Sequence, residues 1–335
     1  MEERRYMERA IYLASRAEAH LIQTNPRVGA VLVHQDRIIG EGYHMKRGEG
    51  HAEVNCMASV RPVHRHLIPD STMYVTLEPC AHQGRTPSCA RMLVAEKVKR
   101  VVVGTLDPFP EVSGKGCEIL REGGIEVEVG LMQEECRELA KVFLTNQVQK
   151  RPYITLKWAE SADGFIDRLR SPQEDAAKLS TPFIQLLTHK MRGEHCGILI
   201  GKNTLLMDNP SLTNRLFPGL PSPQVFVLDR SKDTASLVSD RERWHLLSDT
   251  DHLPRLMTWL LEQGVTSLLI EGGTQVHQSF IHAGLWDTIR REVSPITLGN
   301  GVPAPVLPHL LLPTYSEDID GHLLYYYKDN RGVIL

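Results

Sequence analysis

The sequence predicts an α/β protein of two domains. Three observations carry that reading: segments of strand and helix character alternate throughout, the pattern starts afresh near Tyr153, and 335 residues exceed the usual size of one domain. Residues 6–22 place apolar side chains at helical spacing, after which Asn25, Pro26 and Gly29 turn the chain into a strand at 31–33. Polar Gln35 and Asp36 separate it from a second strand at 38–43, so the two pair as an antiparallel hairpin. Further strands are expected at 72–77, 100–104 and 125–129, with helices near 51–60, 88–98, 115–123 and 132–146. Their alternation implies parallel pairing at the end of this half. A long polar helix ends at 148–152, which separates domains at 1–148 and 149–335. Beyond it strands are expected at 154–159, 197–200, 224–228, 245–247 and 267–270, with Pro- and Gly-rich loops at 208–223 and 294–308.

The composition excludes several classes of function. With 41% hydrophobic and 24% charged residues the chain is globular rather than disordered, and no apolar run approaches membrane-spanning length. Residues 1–9 are charged and lack the apolar stretch of a secretory signal, so a cytoplasmic location is expected. A formal net charge of −3 with scattered Lys and Arg argues against nucleic acid as a partner and for a small-molecule substrate. No membrane partner is expected, and a homo-oligomer is left open.

His51, Ala52 and Glu53 lie upstream of Pro79, Cys80 and Cys89, so one stretch supplies an imidazole, two thiols and a carboxylate two residues past the imidazole. Zinc takes nitrogen and sulfur ligands in tetrahedral geometry, and a catalytic site keeps its fourth position for water, whose pKa falls to roughly 7. His51, Cys80 and Cys89 are the expected ligands of one zinc per chain, with Glu53 as the proton carrier. This is the residue pattern of hydrolytic zinc deaminases, although residues 81–88 make a longer gap between the cysteines than the usual two. Residues two apart do not share a helix face, so His51 and Glu53 can converge only at a helix start. Gly48 and Gly50 before them, and Pro87 and Ser88 before Cys89, supply such starts. Cys56, Cys117, Cys136 and Cys196 lack such company and read as packing residues.

In the second half Glu271, Gly272, Gly273 and Thr274 follow an apolar strand and open a helix, a turn where backbone amides can approach a phosphate. The spacing is not the three-glycine dinucleotide fingerprint. Polar residues also bunch beyond two other strand ends: Lys157, Ala159, Ser161, Asp163 and Gly164, then Gly201, Thr204, Asp208, Asn209, Leu212, Thr213 and Arg215. Ligands of open α/β sheets bind at such ends.

Together these residues resemble the bifunctional deaminase-reductase family of riboflavin biosynthesis, over the whole chain. The first half is similar to its cytidine-deaminase-like domain through Asn25-Pro26-Arg27-Val28-Gly29, His51-Ala52-Glu53 and the run 76–89, in which the long cysteine gap is normal for the family. The second half is similar to its dihydrofolate-reductase-like domain, which uses NADPH. The resemblance implies hydrolytic removal of a ring amino group from a diaminopyrimidinone ribosylamino 5′-phosphate, followed by reduction of the ribosyl to a ribityl chain. It implies that Asn25 orients the base, and makes His82 and Arg85 candidates for the substrate phosphate. Ala159, Thr204, Asp208 and the segment Gly273, Thr274, Gln275, Val276, His277, Gln278 and Ser279 match cofactor contacts; Arg192, Leu212, Arg215 and Glu271 match substrate contacts. Lys157 and Asp208 are the candidate proton donors of the reduction. One stretch departs from the family pattern: Ala176 stands for a substrate-contacting serine and Lys178 for a tryptophan, and Gln224 replaces an arginine. Two other readings are an active deaminase with an impaired reductase and a nucleic-acid base deaminase with an unrelated C-terminal module. A third is a non-catalytic protein with structural zinc; the presence of Glu53 argues against it.

Overall fold

The computed structural model describes residues 2–82, 88–107, 113–239, 241–248 and 252–329. The chain divides into two compact units, Met1–Lys150 and Arg151–Leu335. Among the described residues no helix is long and apolar enough to cross a membrane.

In the first unit the helix expected over 6–22 is two helices. α1 (Glu2–Ser15) ends where the amides of Arg16 and Ala17 bond to carbonyls three residues back, and α2 (Ala19–Ile22) follows that tightened turn. β1 (Gly29–His34) and β2 (Arg37–Tyr43) form the expected hairpin, with Gln35 and Asp36 at φ of 43° and 61° in its two-residue turn. β3 (Thr72–Leu77), β4 (Arg100–Thr105) and β5 (Glu126–Val129) complete a sheet of order β2-β1-β3-β4-β5. β1 is antiparallel to both neighbours, and β3, β4 and β5 run parallel. α3 (Ala52–Ser59), α4 (Cys89–Ala95), α5 (Lys115–Glu122) and α6 (Gln133–Gln149) are its remaining α-helices among the described residues. The strands alternate their side chains between two faces. Ala30, Leu32, Met73 and Val75 pack with α3, α4 and α5, while Val31, Val33, Tyr74 and Val102 pack with α1 and Cys136 of α6.

Two glycines of β2 set the position of α3. A Cβ at Gly42 would lie 2.3 Å from the Cys56 amide nitrogen, and one at Gly40 would lie 2.7 Å from the Cys56 carbonyl oxygen. The helix therefore rests directly on the strand backbone, which fixes where its first turn, with His51 and Glu53, meets the sheet.

The second unit is built on an eight-stranded sheet of order β10-β9-β8-β11-β6-β12-β15-β14. Its strands are β6 (Tyr153–Glu160), β7 (Phe165–Asp167), β8 (Gly197–Gly201), β9 (Gln224–Leu228), β10 (Trp244–Leu247), β11 (Ser267–Gly272), β12 (Thr288–Val293), β13 (Val302–Pro303), β14 (Tyr315–Ile319) and β15 (His322–Lys328). β7 and β13 form a separate small pair. The sheet is parallel from β10 to β12 and antiparallel from β12 through β15 to β14. Its helices are α7 (Pro182–Glu194), α8 (Lys202–Asp208), α9 (Ala235–Ser239), α10 (Leu253–Glu262) and α11 (Thr274–His282). Ile154, Leu156, Trp158 and Ile289 pack with α10 and α11, and Ile198, Ile200, Val225 and Leu269 pack with α8 and α9. Five of these strands, β7, β12, β13, β14 and β15, were not among those expected from the sequence.

Candidate functional site

His51 caps α3 and Glu53 lies in that helix's first turn. Cys80 follows β3, and Cys89 opens α4, where Ser88 accepts a hydrogen bond from the Arg91 amide at 3.3 Å. The Cys89 amide donates to Cys80 Sγ at 3.3 Å, tying the two sulfur-bearing segments together. His51 Nδ1 lies 3.6 Å from Cys80 Sγ and 3.4 Å from Cys89 Sγ, and the three potential ligand atoms all lie within 4.8 Å of one another. The set fits zinc: with Zn–S about 2.3 Å and Zn–N about 2.0 Å, a tetrahedral angle places sulfur and nitrogen about 3.5 Å apart. Among the described residues it is the one group of three such side chains with this spacing.

The electrostatics follow from who donates to whom. Cys89 donates to Cys80, which together with His51 holds the Cys80 thiol well below its usual range and pushes the Cys89 thiol up. Glu53 is 3% exposed, and burial, opposed by its own backbone amide, drives its carboxyl up to about 7. A carboxyl of that acidity can take up and release a proton near neutrality.

Asn25 Nδ2 donates to His44 Nε2 at 3.0 Å, and His44 Nδ1 donates to the Gly50 carbonyl at 3.1 Å. A carbonyl only accepts, so the His44 proton sits on Nδ1 and Nε2 must accept from Asn25. Burial lowers the His44 pKa, in keeping with that neutral ring. The pair fixes the Asn25 amide and leaves its carbonyl oxygen for another partner. His44 was missed from the sequence; its position between β2 and the Gly48–Gly50 turn is the signal that could have found it. His82 is exposed, and Arg85 lies outside the described residues.

Glu78, also missed, anchors the loop behind the cysteines. Its Oε1 accepts from the amides of Gly116 at 2.8 Å and Cys117 at 3.1 Å, and its Oε2 from Gly114 at 2.9 Å and Asp107 at 3.2 Å. Glu78→Gln would turn an NH2 group toward two of those four donors. Each buried donor left unpaired costs about 1–3 kcal/mol, so a loss of about 3 kcal/mol is expected, lowering the melting temperature of this unit by roughly 6–12 °C in calorimetry.

In the second unit Arg192 of α7 grips Glu271 at the end of β11 with Nε and Nη2, at 2.8 and 2.6 Å, and its Nη1 donates to the Thr213 carbonyl at 3.3 Å. Lys157 and Ala159 lie on β6 beside that strand. Leu212 is buried with φ of 42°, and Arg215 is exposed, donating to Ser211 Oγ at 3.1 Å. Thr204 abuts the glycine turn, since a Cβ on Gly272 would lie 2.9 Å from its Oγ1. Gly273 precedes α11 at φ of 77°, a conformation that favours glycine. Asp208 stands at the far end of α8, ion-paired with Arg170.

The segment 273–279 divides by direction. Gln275, Val276 and Ser279 line a cavity of ≈ 450 Å³ together with Lys202, Asp229, Arg230 and Ser231. Lys202 Nζ donates to Ser231 Oγ at 2.6 Å and to Asp233 at 2.7 Å. Thr274 bonds to the Pro303 carbonyl, and Gln278 exchanges two hydrogen bonds with the Val306 backbone. His277 turns inward at 1% exposure, its ring nitrogens against the carbonyls of Gly273, Lys157 and Ile270, and burial takes its pKa down to about 4. In the departing stretch, Ala176 and Lys178 are exposed. Thr181 still caps α7 by accepting from the Ile184 amide at 3.3 Å, and Ser180 Oγ donates to Glu292 at 2.9 Å.

Residues 1–105 match the family described as the cytidine and deoxycytidylate deaminase zinc-binding region, and residues 152–312 match the RibD C-terminal domain. The chain is similar to the riboflavin biosynthesis protein RibD of Bacillus amyloliquefaciens, 36% identical over 330 residues that cover 90% of this chain and 86% of that protein. It is similar to the protein of the same description from Aquifex aeolicus, 35% identical over 324 residues that cover 90% and 89%. Among solved structures it is similar to a diaminohydroxyphosphoribosylaminopyrimidine deaminase/5-amino-6-(5-phosphoribosylamino)uracil reductase from Thermotoga maritima, with a TM-score of 0.88, 31% identity and 98% of both chains covered. The C-terminal half is therefore a reductase-family domain rather than an unrelated module.

Proposed function

The chain belongs to the RibD family of bifunctional riboflavin biosynthesis proteins, deaminase and reductase in one chain, and from that premise we propose its substrate and the residues that act on it. The substrate is 2,5-diamino-6-ribosylamino-4(3H)-pyrimidinone 5′-phosphate, deaminated in the first unit and reduced from ribosyl to ribityl in the second. The observation that carries this reading is the His51, Cys80 and Cys89 triad with the non-ligand Glu53 buried beside it.

His51, Cys80 and Cys89 would hold a zinc ion, which when bound would supply the Lewis acidity that makes water nucleophilic at neutral pH. Glu53 carries one proton of the attacking water to the ring nitrogen, and then the second, from the hydroxyl that becomes the carbonyl, to the amino group that leaves as ammonia. Asn25, held by His44, presents its carbonyl oxygen to the base. His82 and Arg85 are proposed for the phosphate.

In the second unit a nicotinamide cofactor would supply hydride, and NADPH is the proposed form, with Lys202, ion-paired with Asp233, and Arg230 lining the cavity beside Asp229, Gln275, Val276 and Ser279. Ala159, Thr204 and Gly273 would meet the cofactor's remaining length, and Arg192, Leu212, Arg215 and Glu271 the substrate. Lys157, beside Glu271, is the proposed proton donor; Asp208, tied to Arg170, is the weaker one. The intact cap and the exposure of Ala176 and Lys178 support a working reductase.

Incubating the purified protein with the diaminopyrimidine phosphate tests the reading. Without NADPH the product is expected to be the deaminated ribosyl compound with release of ammonia; with NADPH, the ribityl compound. An unchanged substrate in both arms would refute it.

A further inference from the structure

One face of the eight-stranded sheet carries a line of ionisable side chains. Lys157 on β6 is in register with Arg290 on β12, and Arg290 with Tyr326 on β15. Glu271 follows Ile270, the β11 residue paired with Leu156. Residues in register on adjacent strands share a face about 4.8 Å apart, so Glu271, Lys157, Arg290 and Tyr326 run in one row across four strands. Arg290 is 3% exposed and donates through Nη1 to Met191 Sδ at 3.0 Å. Its Nε and Nη2 have no hydrogen-bond partner among the described residues.

Neither neighbouring carboxylate hydrogen-bonds Arg290, although Glu292 Oε1 is itself buried without a hydrogen-bond partner among the described residues. Glu271 is gripped by Arg192, while Glu292 accepts from Ser180 Oγ at 2.9 Å and stands 3.3 Å from His322 Nδ1. A guanidinium keeps its charge in a protein. A buried cation with no carboxylate partner is costly, and packing alone gives no reason for it.

We propose that Arg290 is a positioning residue of the reductase half: a permanent cation set beside Lys157, so that the Lys157 ammonium gives its proton readily to the substrate. The inference rests on the reading of Lys157 as proton donor. In that reaction the reduced nicotinamide is oxidised as its hydride bonds to C1 of the opened sugar imine. The π pair of the C=N bond becomes a new N–H bond, the Lys157 Nζ–H bond breaks, and the neutral amine is reprotonated from water.

The charged and titratable groups around Lys157 come from five elements: Glu271 of β11, Arg290 and Glu292 of β12, Tyr326 of β15, Arg192 and His189 of α7, and His277 of α11, which meets the Lys157 carbonyl. Burial holds the Lys157 ammonium below the usual lysine range; Glu271 and Glu292 oppose this, and Arg290 and Arg192 reinforce it. The ammonium is the active form, so activity is present below its pKa and lost as pH rises through it. Removing Arg290 raises that pKa and moves the loss to higher pH; removing Glu292 does the reverse.

Single-turnover NADPH oxidation with the deaminated substrate is measured against pH for Arg290→Met, Arg290→Gln, Arg290→Lys, Glu292→Gln and Lys157→Ala. Lysine 13Cε NMR follows Lys157 directly in the full chain. The alkaline limb and the NMR midpoint are expected to rise together by about one pH unit in the neutral Arg290 variants, to fall in Glu292→Gln, and to stay in place in Arg290→Lys. If either the limb or the midpoint stays unmoved in a folded neutral variant, the proposal is overturned while Lys157 stands as donor. A Lys157→Ala enzyme that keeps both rate and limb removes the reading of Lys157, and the proposal with it. If both neutral variants fail to fold while Arg290→Lys folds, Arg290 serves stability and the proposal is again overturned.

Discussion

Glu53→Gln is expected to keep about one zinc per chain and to cut ammonia release by roughly 10³- to 10⁴-fold, while NADPH oxidation with the deaminated ribosyl substrate continues. The substitution preserves volume at a buried position, and Glu53 stands outside the His51, Cys80 and Cys89 triad, so neither packing nor ligand count changes. What is lost is the group that can take up a proton and give it back. A loss of that size corresponds to about 4–5.5 kcal/mol of transition-state stabilisation, at the upper end for one acid-base group, because the same carboxyl serves both the ring nitrogen and the leaving ammonia. The residues proposed for the reduction, Lys157, Glu271 and Arg192, belong to the other compact unit, which is why the second activity is expected to persist. Metal analysis, coupled ammonia detection and NADPH absorbance on one preparation decide it. Equal loss of both activities would argue against two separate sites, and ammonia release within tenfold of the unaltered chain would remove Glu53 from the chemistry.

The deaminase half was legible in the sequence because its chemistry lies at the starts of two helices, where local residues determine geometry. Gly50 before His51 and Ser88 before Cys89 mark those starts, and the strand-like run 72–77 leads the chain to Cys80. The roles of His44 and Glu78 were not legible, since each acts through partners distant in sequence: His44 through Asn25, and Glu78 through amides of 107–117. In the second half β12 was hidden by its charged residues. Arg290 and Glu292 occupy one face of Thr288–Val293, so the apolar pattern that reveals a strand is replaced by charge. β14 and β15 did carry a signal: Asp320 and Gly321, at φ of 53° and 80°, form the Asp-Gly turn that favours a two-residue hairpin. The 6–22 helix was overextended because Ala17 and Ile22 are buried and keep the apolar rhythm across a break that only the backbone shows.

Cys89→Ser is expected to release the metal from a unit that remains folded. Cys89 is 2% exposed at the start of α4, and serine is close enough in volume to fill its place. The contact that holds the two cysteine segments together is donated by the Cys89 backbone amide to Cys80 Sγ, so it survives the change of side chain. The Ser88 cap survives as well. What disappears is a thiolate donor, and a hydroxyl is a far poorer zinc ligand because it does not ionise near neutrality. Loss of an outer partner of a metal ligand typically costs 10- to 100-fold in affinity, and loss of a ligand is expected to cost more than about 100-fold. Zinc content after dialysis against a chelator should therefore fall well below the value of about one per chain expected for the unaltered protein, with deamination lost in proportion and NADPH-dependent reduction of the deaminated substrate retained. Cys117→Ser provides the comparison, being equally buried in the core of the same unit but outside the triad. If it keeps its zinc while Cys89→Ser loses it, burial of a sulfur is separated from ligation by one. Retention of zinc and full deaminase activity by Cys89→Ser would show that the 3.4 Å approach of Cys89 Sγ to His51 Nδ1 is packing and not a metal centre.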